Sequence, residues 1–173
     1  MSRRTTAIAA ALSVLALGSP LITAKADPLA DIFIGIGLER YKQGDYQGAI
    51  ADYTKAIEIN PNDAIAYYNR GIAKYELKDY QGAIADYTKA IEINPRYADA
   101  YSTRGVAKGK SGNYQESIAD FTKAIDINPG VASAYANRGL SKKLLGDLKG
   151  ACVDWRKAAS LGDEFAAGAV KYC

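Results

Sequence analysis

The segment DYQGAIADYTKAIEINP occupies residues 45–61 and occurs again, unchanged, at residues 79–95. A third copy, NYQESIADFTKAIDINP, covers 113–129, and a fourth, DLKGACVDWRKAASLGD, covers 147–163. The copies start at Asp45, Asp79, Asn113 and Asp147, so the period between them is constant. Self-similarity at a fixed period of this length is typical of solenoids, in which each repeat packs only on its neighbours. The sequence therefore predicts a repeat protein.

Each repeat is predicted to contain two helices. Ile50, Tyr53 and Ile57 recur at three- and four-residue spacings, which place them on one helical face. A second helical stretch of similar length precedes each copy, as in AYYNRGIAKYELK. Good N-cap residues begin the copies, and the Asn-Pro pairs that close the first three copies end the helices. No stretch has the period-two alternation of a strand, so the predicted fold class is all-α.

Small and aromatic residues recur at fixed places, counted from repeat starts at residues 30, 64, 98 and 132. Glycine at position 8 and small residues at positions 20 and 27 allow two helix backbones to approach, and an aromatic residue at position 24 fills the space between neighbouring helix pairs. The position-8 glycines are Gly37, Gly71, Gly105 and Gly139, and the position-24 aromatics are Tyr53, Tyr87, Phe121 and Trp155.

This pattern resembles the tetratricopeptide repeat family and covers nearly all of the chain after residue 26. The resemblance implies a right-handed α-solenoid of antiparallel helix pairs, whose first helices line a concave groove. It divides this part of the chain into a short linker at 27–29, four repeats at 30–162 and a C-terminal capping helix at 163–173. A capping helix is expected because the last repeat of a solenoid otherwise exposes an apolar face.

Residues 1–26 have the features of a secretory signal peptide. Arg3 and Arg4 precede an apolar run from 7 to 17, and small residues surround a cleavage site after Ala26. The run is shorter than the about 20 apolar residues that span a membrane. We therefore expect export to a periplasmic, luminal or secreted location, with no membrane span after cleavage. The general secretory and twin-arginine routes both stay open, since paired arginines occur in either signal.

Composition excludes most common catalytic plans. The chain has 173 residues and no histidine, so it has no imidazole for metal ligation or for a Ser–His or Cys–His pair. Carboxylates such as Glu58, Glu92 and Asp126 recur at helix-surface positions, which is typical of a solvated face rather than an acid–base pair. No glycine-rich phosphate loop is present. The sequence predicts no enzyme activity, no metal site and no cofactor.

The charge balance argues against a nucleic-acid partner. The formal net charge is +3, from 22 basic and 19 acidic residues, but three of the basic residues lie in the predicted signal peptide. Removing these three from 22 leaves 19 basic residues against 19 acidic ones. A balanced mature chain lacks the basic surface that nucleic-acid binders use.

Arginine and aspartate also recur at fixed positions. Position 23 is aspartate in every repeat, and position 7 is arginine in repeats two to four but Ile36 in repeat one. Each arginine follows an aspartate of the preceding repeat at a constant offset. We therefore predict structural ion pairs between adjacent repeats, which would favour register more than net stability. The predicted pairs are Asp52–Arg70, Asp86–Arg104 and Asp120–Arg138. A basic surface for an acidic ligand is the alternative.

The two cysteines are predicted to meet at the C-terminal end. Cys152 and Cys173 lie about equally far from the turn at Gly162, so they reach the same end if the last two helices fold back antiparallel. In an exported protein a disulfide is the leading interpretation. Two unpaired buried thiols are the alternative. No C-x-x-C motif points to a redox-active pair.

The resemblance also implies a partner-binding surface in the groove, where family positions 2, 5, 9, 12 and 13 point toward a bound peptide and an amide at position 6 often holds ligand backbone. Apolar and aromatic residues at these positions are concentrated in the N-terminal half. The candidate partner-binding residues are Ile34, Leu38, Tyr41, Tyr68, Asn69, Ile72, Tyr75 and Asn137. Packing within the solenoid is the alternative role for the aromatic ones. The two-carboxylate clamp of some relatives is not expected, because it needs Lys and Asn where Ile34 and Leu38 stand.

These observations predict a non-catalytic scaffold or adaptor that binds a peptide or protein segment in the groove. A monomer is expected, since a capped end argues against open-ended growth. The alternative is a self-assembling structural repeat protein of the cell envelope, because near-identical repeats can stack between chains as well as within one.

Overall fold

The computed structural model describes residues 27–173, and the predicted signal peptide lies outside them. The described residues form nine α-helices and a final 3-10 helix, and none of them lies in a strand. The helices are α1 Pro28–Lys42, α2 Tyr46–Ile59, α3 Ala64–Glu76, α4 Tyr80–Ile93, α5 Ala98–Lys110, α6 Tyr114–Ile127, α7 Ala132–Leu144, α8 Leu148–Ser160, α9 Glu164–Ala169 and the 3-10 helix Val170–Tyr172.

The eight long helices form four antiparallel pairs that stack in chain order. Each helix packs on the one before and the one after it, as expected for a solenoid. Neighbouring odd-numbered helices also contact one another, α1 with α3, α3 with α5 and α5 with α7. Helices on the inner side of a curved stack approach most closely, so the odd-numbered helices line the concave side. The predicted all-α solenoid is confirmed.

Two boundaries differ from the sequence prediction. Helix α1 begins at Pro28, inside the predicted linker, because the side chain of Asp27 caps it by accepting a hydrogen bond from the backbone N of Leu29 at 3.0 Å. The predicted capping helix is shorter than 163–173, since α9 ends at Ala169 and the chain continues as a 3-10 turn. Ala166 of α9 is nevertheless fully buried against α8.

The two helices of a repeat are joined by a tight turn with one residue in the left-handed region. Gly44 has φ 79°, and Lys78 takes the same conformation in repeat two with φ 64°. The next residue is the N-cap of the second helix: the Asp45 carboxylate accepts a hydrogen bond from the backbone N of Gly48 at 2.9 Å. Asp79 and Asp147 do the same, whereas the side chain of Asn113 makes no capping bond.

One aromatic side chain per repeat forms the centre of the core. Tyr53, Tyr87, Phe121 and Trp155 are each exposed by 3% or less. Each ring lies against the position-8 glycine of its own repeat. In repeat four the indole N–H of Trp155 also donates to the backbone oxygen of Ala136 at 3.2 Å, which satisfies its one polar group. The close approach of helix and ring requires glycine at this position.

Gly71→Ala is expected to destabilise the fold, because the added methyl group would lie 2.7 Å from Cε1 of Tyr87. Overpacking of this kind costs about 1–3 kcal/mol, which outweighs the about 1 kcal/mol that alanine gains in helix propensity. The Cβ position at Gly35, also within a helix, has no atom within 4 Å. Gly35→Ala is therefore the matched control and should raise the melting temperature. An unchanged melting temperature for Gly71→Ala, measured by circular dichroism, would contradict this packing.

The two cysteines lie together at the C-terminal end. The sulfur atoms of Cys152 and Cys173 are at bonding distance, and their Cα atoms are 5.7 Å apart. This separation is within the usual range for a disulfide. Cys152 is buried on α8, whereas Cys173 is exposed beyond the 3-10 turn. The oxidation state of the pair stays a prediction.

Candidate functional site

The predicted ion pairs have the wrong partners. Arg70 binds Asp86 of its own repeat, with Nη2 at 2.7 Å from Oδ1 and Nε at 2.9 Å from Oδ2. The same two-pronged contact occurs between Arg104 and Asp120 and between Arg138 and Asp154. Among residues 27–173, none of the predicted pairs Asp52–Arg70, Asp86–Arg104 and Asp120–Arg138 is formed. The reason is that positions 7 and 23 face each other across the antiparallel pair of one repeat.

The arginines still connect adjacent repeats, through a neutral partner. Arg70 Nη1 donates a hydrogen bond to Thr54 Oγ1 of the preceding repeat at 3.1 Å. Arg104 and Arg138 make equivalent bonds to Thr88 and Thr122, at 2.9 Å and 3.1 Å. A sequence signal for this contact exists: position 25 is threonine in the three repeats that are followed by an arginine-bearing repeat, and Arg156 in the last one.

A second cation, at position 11, completes each cluster. Lys74 Nζ lies 2.7 Å from Asp86 Oδ2, and the pairs Lys108–Asp120 and Lys142–Asp154 repeat the contact at 3.0 Å and 2.8 Å. In repeat one, which has Ile36 instead of arginine, Arg40 Nη1 lies 2.8 Å from Asp52 Oδ2. These basic side chains are therefore engaged by buried carboxylates, which disfavours the alternative that they form a surface for an acidic ligand.

The groove tyrosines pack largely on other tyrosines. The ring centroids of Tyr41 and Tyr46 are 5.3 Å apart, and those of Tyr75 and Tyr80 are also 5.3 Å apart. The hydroxyl of Tyr41 donates to Glu76 Oε1 of the next repeat at 3.3 Å. Burial, followed by the nearby Glu76 carboxylate, raises the pKa of Tyr41 above its ordinary value. The rings of Tyr41 and Tyr75 are thus packed within the solenoid.

Tyr68 lies between two further rings. Its centroid is 4.9 Å from that of Tyr97 and 5.9 Å from that of Tyr87. Burial raises the pKa of Tyr97 to about 12 and also raises the pKa of Tyr68. The aromatic cluster in the N-terminal half of the groove is therefore already packed, which agrees with the structural alternative for these residues.

The other candidate residues differ in exposure. Leu38 is 38% exposed, and Asn69, Ile72 and Asn137 are half-buried. Ile34 is only 9% exposed and belongs to the N-terminal core cluster that includes the ring of Tyr53. The structure therefore assigns Ile34 to the core and leaves it little surface for a partner.

Open space in the groove lies in its C-terminal half instead. A cavity of about 350 Å³, here called the α5–α7 cleft, separates α5 and α6 from α7. It is lined by Gly105, Val106, Gly109, Lys110, Tyr114, Ser117, Phe121, Asn137, Leu140, Ser141 and Leu144. Of the residues predicted from the sequence, Asn137 alone lines it. The sequence signal for this cleft is Gly109, which stands at position 12 where Tyr41 and Tyr75 stand in the first two repeats.

A larger cavity of about 670 Å³, the α7–α9 cleft, follows between α7, α8 and the C-terminal cap. Its lining residues are Leu140, Lys143, Leu148, Trp155, Glu164, Phe165, Gly168, Ala169, Lys171 and Tyr172. Leu140 lines both clefts, so the two cavities adjoin each other at α7. Both clefts are mainly apolar, as expected for sites that bury side chains of a ligand.

Two further findings concern the described residues. Between residues 27 and 173, no group of three or more His, Cys, Asp or Glu side chains is placed to hold a metal ion. In the same range, none of the helices has the length and apolar character needed to cross a bilayer.

The stacked helix pairs, with the odd-numbered helices along the concave side, define an α-solenoid of helix-turn-helix repeats. Family models agree: the tetratricopeptide repeat model matches residues 64–97 and 98–131, and a TPR repeat model matches residues 37–78. The chain belongs to the tetratricopeptide repeat family. Comparison with curated proteins gives no significant match.

Solved structures of similar fold include two of MamA. A crystal structure of MamA has a TM-score of 0.75 and 29% identity, over 82% of this chain and 84% of that chain. MamA 41-end from Desulfovibrio magneticus RS-1 has a TM-score of 0.72 and 25% identity, over 80% and 77%. The first TPR of Spaghetti (RPAP3), bound to the HSP90 peptide SRMEEVD, has a TM-score of 0.67 and 28% identity, over 68% of this chain and 94% of that chain. These likenesses support a protein-interaction module.

Proposed function

We propose that this chain is a non-catalytic adaptor that binds a segment of another protein along the concave side of its solenoid. The observation that carries the proposal is the pair of mainly apolar clefts that adjoin at α7 and share Leu140. The structure of the first TPR of RPAP3 with a bound peptide supports the same use of the fold.

The site is proposed in the C-terminal half of the groove rather than among the N-terminal tyrosines. Other rings within the solenoid already contact Tyr41, Tyr68 and Tyr75. A partner could therefore contact only the outer edges of these three rings. Burial of apolar side chains in well-formed pockets supplies most of the binding energy of interfaces. A partner can therefore bury more apolar surface in the open clefts than on the packed tyrosine cluster.

The test is capture of partners with two matched charge variants. Lys110 and Lys143 line the clefts, whereas Lys123 and Lys157 lie on the outer helices α6 and α8. All four are exposed, and within the described residues none forms a salt bridge. A partner held in the groove should be lost with Lys110→Glu plus Lys143→Glu and retained with Lys123→Glu plus Lys157→Glu. The reverse pattern would move the binding site to the convex side.

Self-assembly stays the second candidate, and one surface favours it. Leu29, Ile32 and Ile36 of α1 are exposed by 52%, 56% and 41%, and within residues 27–173 no repeat packs on them. In the later repeats the position of Ile32 is held by fully buried alanines that pack on the preceding repeat. Sedimentation equilibrium distinguishes the two functions: an adaptor stays monomeric over a wide concentration range, whereas a self-assembling protein gains mass.

We further propose export of the mature chain to an extracytoplasmic compartment. The small residues Ala24 and Ala26 follow an apolar run in the order of a cleavable signal. Mass spectrometry of the native protein is expected to find a chain that begins at Asp27. Recovery of an uncleaved N-terminus from the cytoplasm would refute both the cleavage and the localisation.

A further inference from the structure

We propose that the α5–α7 cleft binds a phenylalanine side chain that has acidic neighbours in the partner segment. This inference rests on the proposed adaptor function and names the residue that the groove recognises. The first two repeats of the chain show which side chain fills the equivalent place.

In the first two repeats the equivalent place is filled by a tyrosine ring at position 12. Tyr75 lies against Tyr80 and against the buried cluster that contains Ala83 and Ala107. Tyr41 is tilted against Tyr46 at the same centroid distance and nearly the same angle. The chain therefore packs a position-12 aromatic ring in the same kind of site between helices twice.

Repeat three keeps the neighbouring tyrosine of this packing site but lacks the position-12 ring. Tyr114 stands where Tyr46 and Tyr80 stand, whereas Gly109 replaces the position-12 tyrosine. The result is the cavity of about 350 Å³ lined by both residues. A ring from another chain can thus occupy the space that Tyr75 fills in repeat two, and contact Tyr114 in the way that Tyr75 contacts Tyr80.

The polar groups at the base of the cleft need no hydrogen bond from such a ring. Ser117 and Ser141 stand where Ala83 and Ala107 pack beneath Tyr75, and their Oγ atoms lie 3.1 Å apart. Ser141 donates to the backbone oxygen of Asn137 at 3.0 Å, so the hydroxyl of Ser117 is the donor to Ser141. Both hydroxyl hydrogens are engaged within the protein, and the two side chains are 5% exposed or less.

The open end of the cleft favours phenylalanine over tyrosine. In repeat one the hydroxyl of Tyr41 donates to Glu76, which is position 13 of the next repeat. The corresponding residue beside the α5–α7 cleft is Leu144, whose side chain accepts no hydrogen bond. A tyrosine hydroxyl placed there has no carboxylate acceptor like Glu76 and must keep its bond to water at the exposed end, whereas a phenyl ring has no such requirement.

Charge around the cleft indicates acidic neighbours for this phenylalanine. Lys110 is the one charged residue in the lining, and it forms no salt bridge to any residue in 27–173. Lys143, in the adjoining α7–α9 cleft, is likewise without a carboxylate partner in the described chain. Complementary charge around an apolar anchor adds specificity and association rate.

The inference is tested with the full chain and four short peptides, in titrations followed by backbone amide NMR. The probes are Ac-Glu-Phe-Glu-NH2, Ac-Glu-Tyr-Glu-NH2, Ac-Glu-Ala-Glu-NH2 and Ac-Lys-Phe-Lys-NH2. The first should shift the amide signals of Gly109 and Ser141. Replacing phenylalanine by alanine should weaken binding at least about tenfold, as expected for loss of a buried aromatic ring. The tyrosine peptide and the lysine peptide should each bind several-fold more weakly than the first.

Filling the cleft with the chain's own ring should abolish the response. Gly109→Tyr restores the position-12 residue of repeats one and two. Adding Ser117→Ala and Ser141→Ala also restores the alanines that pack beneath Tyr75, which are Ala83 and Ala107. In the triple variant, the contact of 3.4 Å between a Cβ at position 109 and Ser117 Oγ is absent. This variant therefore keeps the test valid if Gly109→Tyr alone fails to fold. Gly35→Tyr, in a helix with open space around it, is the matched control and should bind the first peptide normally.

Equal binding of the phenylalanine and alanine peptides, or undiminished binding to both filled variants, would overturn the inference. Tighter binding of the tyrosine peptide or of the lysine peptide than of the first would overturn the assigned residue chemistry. If no peptide binds while Lys110→Glu plus Lys143→Glu still loses a captured partner, this inference fails and the proposed groove function stands. If that charge variant also keeps its partner, both fail.

Discussion

Asp86→Ala is expected to lower the free energy of unfolding by about 3 kcal/mol, the lower end of the range for breaking one side of a buried ion pair. Asp86 is 3% exposed and is held by Arg70 in a two-pronged contact and by Lys74 at 2.7 Å. Its removal leaves the partly buried side chains of Arg70 and Lys74 without this carboxylate. Their side chains are 17% and 22% exposed, so partial hydration keeps the loss from being larger.

The control for this substitution is an ion pair of the same length on the surface. Lys89 and Glu92 are 2.7 Å apart, but their side chains are 58% and 55% exposed. Glu92→Ala should therefore cost between zero and about 1 kcal/mol. Urea unfolding followed by circular dichroism measures both variants. Similar midpoints for Asp86→Ala and Glu92→Ala would show that the buried cluster has no special part in stability.

Cys173→Ser is expected to cost about 3 kcal/mol if the predicted disulfide to Cys152 is present, since the cysteines are 21 residues apart and a loop of this size constrains the unfolded chain by about that amount. The substitution is made at Cys173 because this residue is exposed, so the serine hydroxyl stays in water. Intact-protein mass spectrometry should detect the gain of two hydrogens in the wild-type chain only after reduction.

Reductant provides the control for this prediction. The wild-type chain with reductant should unfold at the same urea concentration as Cys173→Ser, and the variant itself should not respond to reductant. A wild-type chain that is equally stable with and without reductant would indicate two free thiols, which is the alternative that the sequence left open.

The fold was predictable because the same helix signals occur in every copy of one repeating unit. The ion-pair partners were not, for a reason that lies in the period itself. Arg70 stands almost midway in sequence between Asp52 and Asp86, and the constant period gives every later arginine the same two choices. Spacing alone therefore fits either partner equally well. Only the antiparallel geometry within a repeat, which brings positions 7 and 23 together, selects Asp86 for Arg70.

The candidate site was less predictable than the fold. Tyr68 and Tyr75 have the residue type of a binding surface, but a ring on the inner side of a solenoid can equally pack on its neighbours, and theirs do. The α5–α7 cleft was missed because it arises from a missing side chain at Gly109, and patterns of present residues do not reveal empty space. Comparison of position 12 between repeats is the observation that would have located it.

The contacts of Arg70 with Thr54 and Asp86 and those of Arg104 with Thr88 and Asp120 are the same set of atoms, one repeat apart. Residues 45–61 and 79–95 are also identical in sequence. Recombination between the gene segments that encode them would add or delete one complete repeat and rejoin surfaces that already fit. We therefore expect the length of this solenoid to change in whole-repeat steps during evolution, with no new core required.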